Sequence, residues 1–198
     1  GKGYDPSGAI RTETQQDQTP VPGTALHECL LAGLLCNDSM LAEKDGNWMA
    51  QGDPTEVALI VAARRGGVFR IQDDYPRIDS IPFDSENQFM ATMHAVQDGD
   101  GRIETHRIYL KGAVEVLLDR CSVAMGDRGG IDAVDRDAIM REVEAFAKNG
   151  LRVLAFACKT VSEDRRTLSM QDVGGDLVLL GLQAIIDPPR EEVIDAIR

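Results

Sequence analysis

The chain has no apolar run near the roughly 20 residues that a membrane helix requires. It also has no basic surplus: 21 Lys and Arg stand against 33 Asp and Glu, a formal net charge of −12. The first lack excludes a helical membrane span within these residues. The second argues against a nucleic-acid partner, because phosphate backbones recruit basic surfaces. It does not exclude a nucleotide, which needs only a few local cations. The opening residues Gly1, Lys2, Gly3, Tyr4, Asp5 and Pro6 lack the pattern of a secretory leader. The four cysteines, Cys29, Cys36, Cys121 and Cys158, form no CxxC pair and no zinc spacing. They read as reduced thiols in a cytosolic protein, used as small core residues. No Walker loop, GxGxxG, Ser-His-Asp or Cys-His grouping is present, and no internal repeat.

What is present is a globular composition, 43% hydrophobic and 27% charged over 198 residues. That length supports one good-sized core or two small domains. Residues 1–10 read as a hairpin turning at Asp5-Pro6-Ser7-Gly8, and 11–23 as a surface loop. A helix is expected from an N-cap at Thr24 to Asn37 or Asp38, then a hairpin turn at Asp45-Gly46-Asn47. Asp53-Pro54-Thr55-Glu56 has the order of a capping box: Asp at the N-cap, Pro at the first helical position, Glu at the third. That helix should stop at Gly66-Gly67. Strands follow at 78–83, 89–96 and 103–110, with a turn at Asp98-Gly99-Asp100-Gly101 and a short helix at 114–120. An amphipathic helix is expected over 132–148. Apolar strands are expected at 151–161 and 177–186, joined by a polar, partly helical link, with a last helix from Glu191. Strands joined by hairpins, with helices in pairs between them, predict an α+β fold: an antiparallel sheet flanked by helix pairs. The abrupt ends suggest a domain excised from a longer protein.

Lys111-Gly112-Ala113 stands where a strand gives way to a helix, and a lysine there suits a phosphate or a base; it also suits a strand simply ending in water. Phe83, before the polar turn Asp84-Ser85-Glu86-Asn87, is either a stacking platform or a core residue. Gln88 and Met90 share a strand face by the period of two and either line the same pocket or are ordinary strand surface. Glu56 either accepts from a ligand amino group or closes its capping box on the Asp53 backbone; the residues alone favour the second. Arg152 opens an apolar strand and either reaches a phosphate or lies in water. His94 and His106 fall opposite each other if the chain turns near Gly99-Asp100, which would suit a metal, but with no third ligand they read as a solvated pair. Asp98 and Asp100 resemble the start of a calcium loop, and a hairpin turn explains them better. Asn37-Asp38-Ser39 fits a glycosylation sequon without other signs of secretion. No catalytic group and no metal site is expected.

The ordered segments GYDPSG, GDPTEVAL, IPFDSENQFMA, LKGAVEVLLDRC, GLRVLAFA and DPPR together resemble the nucleotide-binding domain of P-type cation-transporting ATPases. Each segment is weak alone; in this order and spacing over the whole chain they are specific. The combination of GDPTE, FDS and KGA resembles the branch that holds calcium and sodium/potassium pumps. The resemblance implies a cytoplasmic domain of an integral membrane protein, residues 1–187, with 188–198 the hinge into a truncated phosphorylation domain. It implies that the domain binds ATP, as Mg-ATP in the full pump, and presents the γ-phosphate to an aspartate outside this chain. The family's DKTGT, TGD and GDGxND motifs are not in these residues. Carried over, Phe83 would stack on adenine, Glu56 would face its amino group, and Met90 would line the pocket. Lys111 would form the floor, Gly112 would let the nucleotide approach, Ala113 would belong to the same ATP-binding set, and Arg152 would reach the ribose-phosphate side. Ser85 and Gln88 stand where animal calcium pumps carry basic residues, and Val114 stands where proline is common. The partners implied are ATP and the phosphorylation and actuator domains of the same pump, with no nucleic acid and the isolated domain a monomer, inactive as a hydrolase. A non-enzymatic interaction module, suggested by the acidic surface and the loop from Thr12 to Gly23, is the alternative. A self-sufficient ATPase would need a nucleophile or a magnesium carboxylate cluster that the sequence does not offer.

Overall fold

A computed structural model of the chain describes residues 4–69, 74–97 and 100–186. Its centre is a seven-stranded sheet in the spatial order β5-β6-β7-β10-β11-β8-β9. The strands are β5 (Arg77–Asp84), β6 (Phe89–Gln97), β7 (Ile103–Gly112), β8 (Cys121–Met125), β9 (Ile131–Ala133), β10 (Leu151–Val161) and β11 (Leu177–Ile186). All neighbours pair antiparallel except β11 and β8, which run parallel. The fold is α+β, as the alternation of hairpins and helices predicts. The parallel pair arises because α3 (Val114–Leu118) carries the chain from β7 across to the far side of β11.

Both faces of the sheet are covered, so the central strands are apolar on both sides. Met90, Tyr109, Phe156 and Cys158 pack with α1 (Ala25–Leu35) and α2 (Pro54–Arg65) in one core. Phe89, Ala91, Leu110 and Ala155 point the other way, into a second core with Val114, Leu117 and Leu118 of α3 and the apolar side of α4 (Arg136–Lys148). The register Met90↔Lys111↔Phe156 holds each row on one face. A small hairpin, β3 (Met40–Lys44) and β4 (Asn47–Gln51), turns through Asp45 and Gly46, both with positive φ, as a two-residue loop requires. Arg64 of α2 lies 5.0 Å over the Trp48 ring and donates to the Leu41 carbonyl, which ties the hairpin to the helix.

Several local expectations need correction. The first hairpin pairs β1 (Ile10–Arg11) with β2 (Asp17–Gln18), so all of it but Ile10 falls within the expected loop, while Asp5 closes a local turn on the Ser7 amide. Thr24 is the N-cap of α1 by position, but its hydroxyl donates back to the Val21 carbonyl instead of capping. Residues 131–133 form edge strand β9, not helix, and α4 starts only after its N-cap Asp135, which accepts from the Ala138 amide. The link over 162–176 is a series of turns without a helix. The expected turn residues Asp98 and Gly99, the DPPR segment and the last helix lie outside the described residues.

His94 is 2% exposed and donates through Nδ1 to the Tyr75 carbonyl at 2.9 Å. Burial pushes its imidazole down to about 4. The unfolded chain takes up this proton near pH 6.5, so above that pH the fold bears no cost from it. As pH falls from 6.5 towards 4 the unfolded state gains the proton first and stability declines. We expect this group alone to lower stability by about 2 kcal/mol between pH 7 and pH 5. Urea unfolding at the two pH values tests it: His94→Gln should shrink the difference by that amount, whereas an unchanged difference contradicts it.

Candidate functional site

The ends of β5 and β7 and the starts of β10 and α2 meet at one rim of the sheet. Asp84 of β5 pairs with Phe89, Phe89 with Gly112, and Gly112 with Ala155. This register fixes where Phe83, Lys111 and Arg152 stand relative to one another. Lys111 lies on the face that α1 and α2 cover, level with Met90 and Phe156. Its ammonium therefore has to find its counter-charge beneath a helix, where water is scarce.

That counter-charge is Glu56, in the first turn of α2. The Lys111 Nζ donates to Glu56 Oε1, and the two side chains are only 9% and 17% exposed. Glu56 Oε2 accepts from the Ser39 hydroxyl at 2.7 Å and from the Asp38 amide at 3.2 Å. The Glu56 carbonyl accepts from Asn37 Nδ2 at 2.9 Å. The expected capping box is thus half formed. Asp53 Oδ1 accepts from the Thr55 and Glu56 amides, as a cap should. The return bond from Glu56 to the Asp53 amide is replaced: that amide donates to Ser39 Oγ at 2.9 Å. Ser39 frees Glu56 from capping its own helix and leaves it for Lys111. Arg77, at the start of β5, holds the same segment by donating to Asp38 Oδ1 at 2.6 Å and to the Leu35 and Asn37 carbonyls.

Phe83 is 62% exposed near the end of edge strand β5, where the ladder slips between Ile81 and Asp84. Pro82 is tolerated there because an edge strand at an irregularity needs no donor at that position. Phe83 is two strands from Lys111, about 10 Å at normal strand spacing. A large aromatic left in water is unlike the other phenylalanines of the sheet, Phe89 and Phe156, which are fully buried. Ser85 is exposed in the turn, which Asp84 organises by accepting from the Glu86 and Asn87 amides. Gln88 does not continue the strand alternation with Met90. It closes the turn with a φ of 57° and is exposed, while Met90 is fully buried beneath α1. The Gln88 carbonyl accepts from the Ala113 amide at 3.0 Å, which ties the Phe83 turn to the start of α3. Gly112 is needed for this closeness: a Cβ there would lie 2.5 Å from the Gln88 oxygen and 2.7 Å from the Phe89 Cβ. Arg152 is exposed at the start of β10, and its guanidinium reaches Thr55 Oγ1 at 3.5 Å, next to Glu56 in the chain. The rim therefore holds an exposed aromatic, a buried lysine–glutamate pair and an exposed arginine. That set can stack on a flat ring, accept from an amino group and meet an anion; it contains no activated nucleophile.

Sequence reasoning did not find Ser39 or Thr55. A serine 17 positions before Glu56 has no local signature, since the contact depends on the hairpin returning the chain to the helix start. The two histidines are not a pair. His94 faces Arg107 and His106 faces Ala95, one residue out of register, so they lie on opposite faces of the sheet and both are buried. Neither the metal reading nor the solvated reading survives. His106 Nδ1 donates to the Arg165 carbonyl at 2.8 Å. No group of three metal-ligating side chains occurs among the described residues. Three cysteines, Cys29, Cys36 and Cys158, are buried, and burial pushes the Cys29 thiol up to about 12 and the Cys36 thiol to about 11 even with Lys111 nearby. They are core residues, not nucleophiles.

Residues 25–192 match the family described as P-type ATPase, cytoplasmic domain N. The chain is 44% identical over 203 residues to a cation-transporting ATPase from Synechocystis sp., covering 100% of this chain and 22% of that protein. It is 37% identical over 202 residues to the probable cation-transporting ATPase F of Mycobacterium tuberculosis, covering 100% of this chain and 21% of that one. It is 37% identical over 204 residues to a calcium-transporting ATPase from Bacillus subtilis, covering 100% and 22%. The chain thus spans about a fifth of the length of the curated relatives it matches. The described residues contain no helix long and apolar enough to cross a membrane. With the family match running from the start of α1 past the end of β11, the chain belongs to the cytoplasmic N domains of the P-type ATPases.

Proposed function

We propose that this domain binds ATP at the rim described above and presents the γ-phosphate to the phosphorylation-domain aspartate of a cation-transporting P-type ATPase. The observation that carries the reading is Phe83, an aromatic left 62% exposed on the same rim as a buried ion pair in a chain of the N-domain family. Phe83 stacks on the adenine. Glu56 accepts from its amino group, with Lys111 and Met90 beneath and Gly112, Ala113, Ser85 and Gln88 around the entrance. Arg152 meets the ribose-phosphate side. Magnesium, when bound with ATP in the whole pump, neutralises phosphate charge. The residues that fit the nucleotide here are those for its base and sugar, since Arg152 is the one site cation that no carboxylate pairs with among the described residues. Residues 188–198 lead into the phosphorylation domain, and that domain and the actuator domain are the partners. Of the two candidate classes, an ATP-binding domain explains the exposed aromatic; an interaction module leaves Phe83 without a task and gives Lys111 and Glu56 only a structural one.

Association energy comes mainly from the base, so AMP and ADP should compete with ATP to within a few-fold, measured by displacement of a fluorescent nucleotide. A strong preference for ATP over AMP contradicts this. Phe83→Ala should weaken ATP by about tenfold or more, since one stacked base is worth about 1–3 kcal/mol. Unchanged affinity in Phe83→Ala and in Lys111→Ala overturns the reading.

The free domain holds Lys111 neutralised by Glu56. Glu56→Gln keeps an acceptor for the amino group but releases the lysine charge. The ratio of ATP to adenosine affinity should then rise by about two- to fivefold at low salt and shrink as salt is added. A ratio that does not move shows that Lys111 is not felt by the phosphates.

A further inference from the structure

Glu56 has two carboxylate oxygens with different attachments. Oε1 meets Lys111, while Oε2 is fixed by the Ser39 hydroxyl at 2.7 Å and the Asp38 amide at 3.2 Å. The Ser39 hydroxyl has one proton to give. Its oxygen already accepts from the Asp53 amide at 2.9 Å, which sets the direction of that proton. The Asp53 carbonyl is the competing acceptor, but at 3.5 Å it is too long to win. The hydroxyl is therefore a built anchor for the carboxylate. Gly52 keeps it in place: its φ is +114°, and a Cβ there would lie 2.2 Å from Ser39 Oγ and 2.9 Å from Ser39 Cα. No side chain fits at 52 while Ser39 stands there. The segment as a whole is pinned from the β5 side by Arg77.

We propose that Ser39 is the positioning residue of this site, and that by anchoring Glu56 it makes the site prefer a 6-amino purine to a 6-oxo purine. The inference rests on the nucleotide reading above. A 6-amino group donates to a carboxylate oxygen; a 6-oxo group meets it lone pair against lone pair. Without the hydroxyl, Oε2 keeps only the longer bond from the Asp38 amide, so the carboxylate can swing away from the clash and discrimination is lost. A carboxylate held at Oε2 by both donors resists that swing, so the wrong base keeps its penalty. Ser39 touches no ligand in this scheme and acts only through Glu56. A purely structural role, completing the cap of α2, would alter stability without altering the ratio of two nucleotides.

The test compares ATP and GTP by displacement of a fluorescent nucleotide from the 198-residue chain, wild type and Ser39 variants, with far-UV circular dichroism and urea unfolding alongside. Wild type should prefer ATP by about tenfold or more, as expected where a base-edge hydrogen bond to a charged group is made or lost. Ser39→Ala should bring the two affinities to within about twofold of each other. Ser39→Cys, which keeps the volume and has a much weaker donor, should do the same. Ser39→Thr keeps the hydroxyl and should restore the preference. A preserved ratio in folded Ser39→Ala or Ser39→Cys overturns the proposal. Failure of both variants to fold assigns Ser39 to the cap and overturns it as well. Failure of the nucleotide reading has a different signature: wild type binds neither nucleotide, or Phe83→Ala leaves ATP binding unchanged.

Discussion

The ion pair between Lys111 and Glu56 is the contact on which the rest of the rim depends. Neither charge is easy to keep where it is. Lys111 points under α1 and α2 because the sheet register leaves it no other face, and Glu56 sits in the first turn of α2 because Asp53-Pro54 starts the helix there. Burying either alone would cost several kcal/mol. Together, with the Ser39 hydroxyl and the Asp38 amide taking up the second oxygen, they satisfy each other's polar demands. The pair also fastens α2 to β7 at the end where Phe83 and Arg152 emerge. A rim made of strand ends and a helix start would otherwise be the first part of the fold to fray.

The proposed nucleotide reading has to account for a polyanion held by an acidic domain. The chain carries a formal charge of −12, and its buried lysine is already neutralised. Long-range attraction for a nucleotide is therefore poor, and screening at physiological salt reduces it further. What remains is short-range: a flat aromatic, a fixed acceptor and one exposed guanidinium. On the proposed reading, such a site takes the end of a nucleotide that carries the base and leaves the charged end in water. Under the proposed function that is the useful polarity, since the end left free is the one that would meet another domain.

The parts of the fold that the sequence made legible are those set by short-range rules. Strands β10 and β11 read correctly to the residue because largely apolar runs that open just after a glycine or an aspartate leave few alternatives. The start of α2 was legible from Asp53-Pro54, and the β3–β4 turn from Asp45-Gly46. Strands β8 and β9 were not: β9 is three exposed residues beside a helix of strong amphipathic pattern, and its strand character comes only from pairing with β8. The site shows the same division. Phe83, Lys111 and Glu56 stand out by residue type at element ends, but their grouping needed the ordered motifs of a family. Gln88 was placed on a strand face by a period of two that a positive φ interrupts. Ser39 was invisible, since its role depends on a tertiary return of the chain.

A one-residue difference in register carries much of the meaning here. His94 and His106 read as cross-strand partners when the β6–β7 turn is assumed symmetric, and one step of slip sends them to opposite cores. The same ladder, at its other end, brings Met90 level with Lys111 and Phe89 level with Gly112. A slip of one there would turn Lys111 into the α3 and α4 core, away from Glu56, and would press a side chain into the space that Gly112 leaves for the Gln88 carbonyl. The ladder is thus held from both ends by groups that tolerate no alternative: a buried ion pair and a glycine at one end, two buried imidazoles bonded to separate loops at the other. The precision of the rim is a property of the whole β6–β7 register, because that register alone sets where Lys111, Gly112 and Met90 stand.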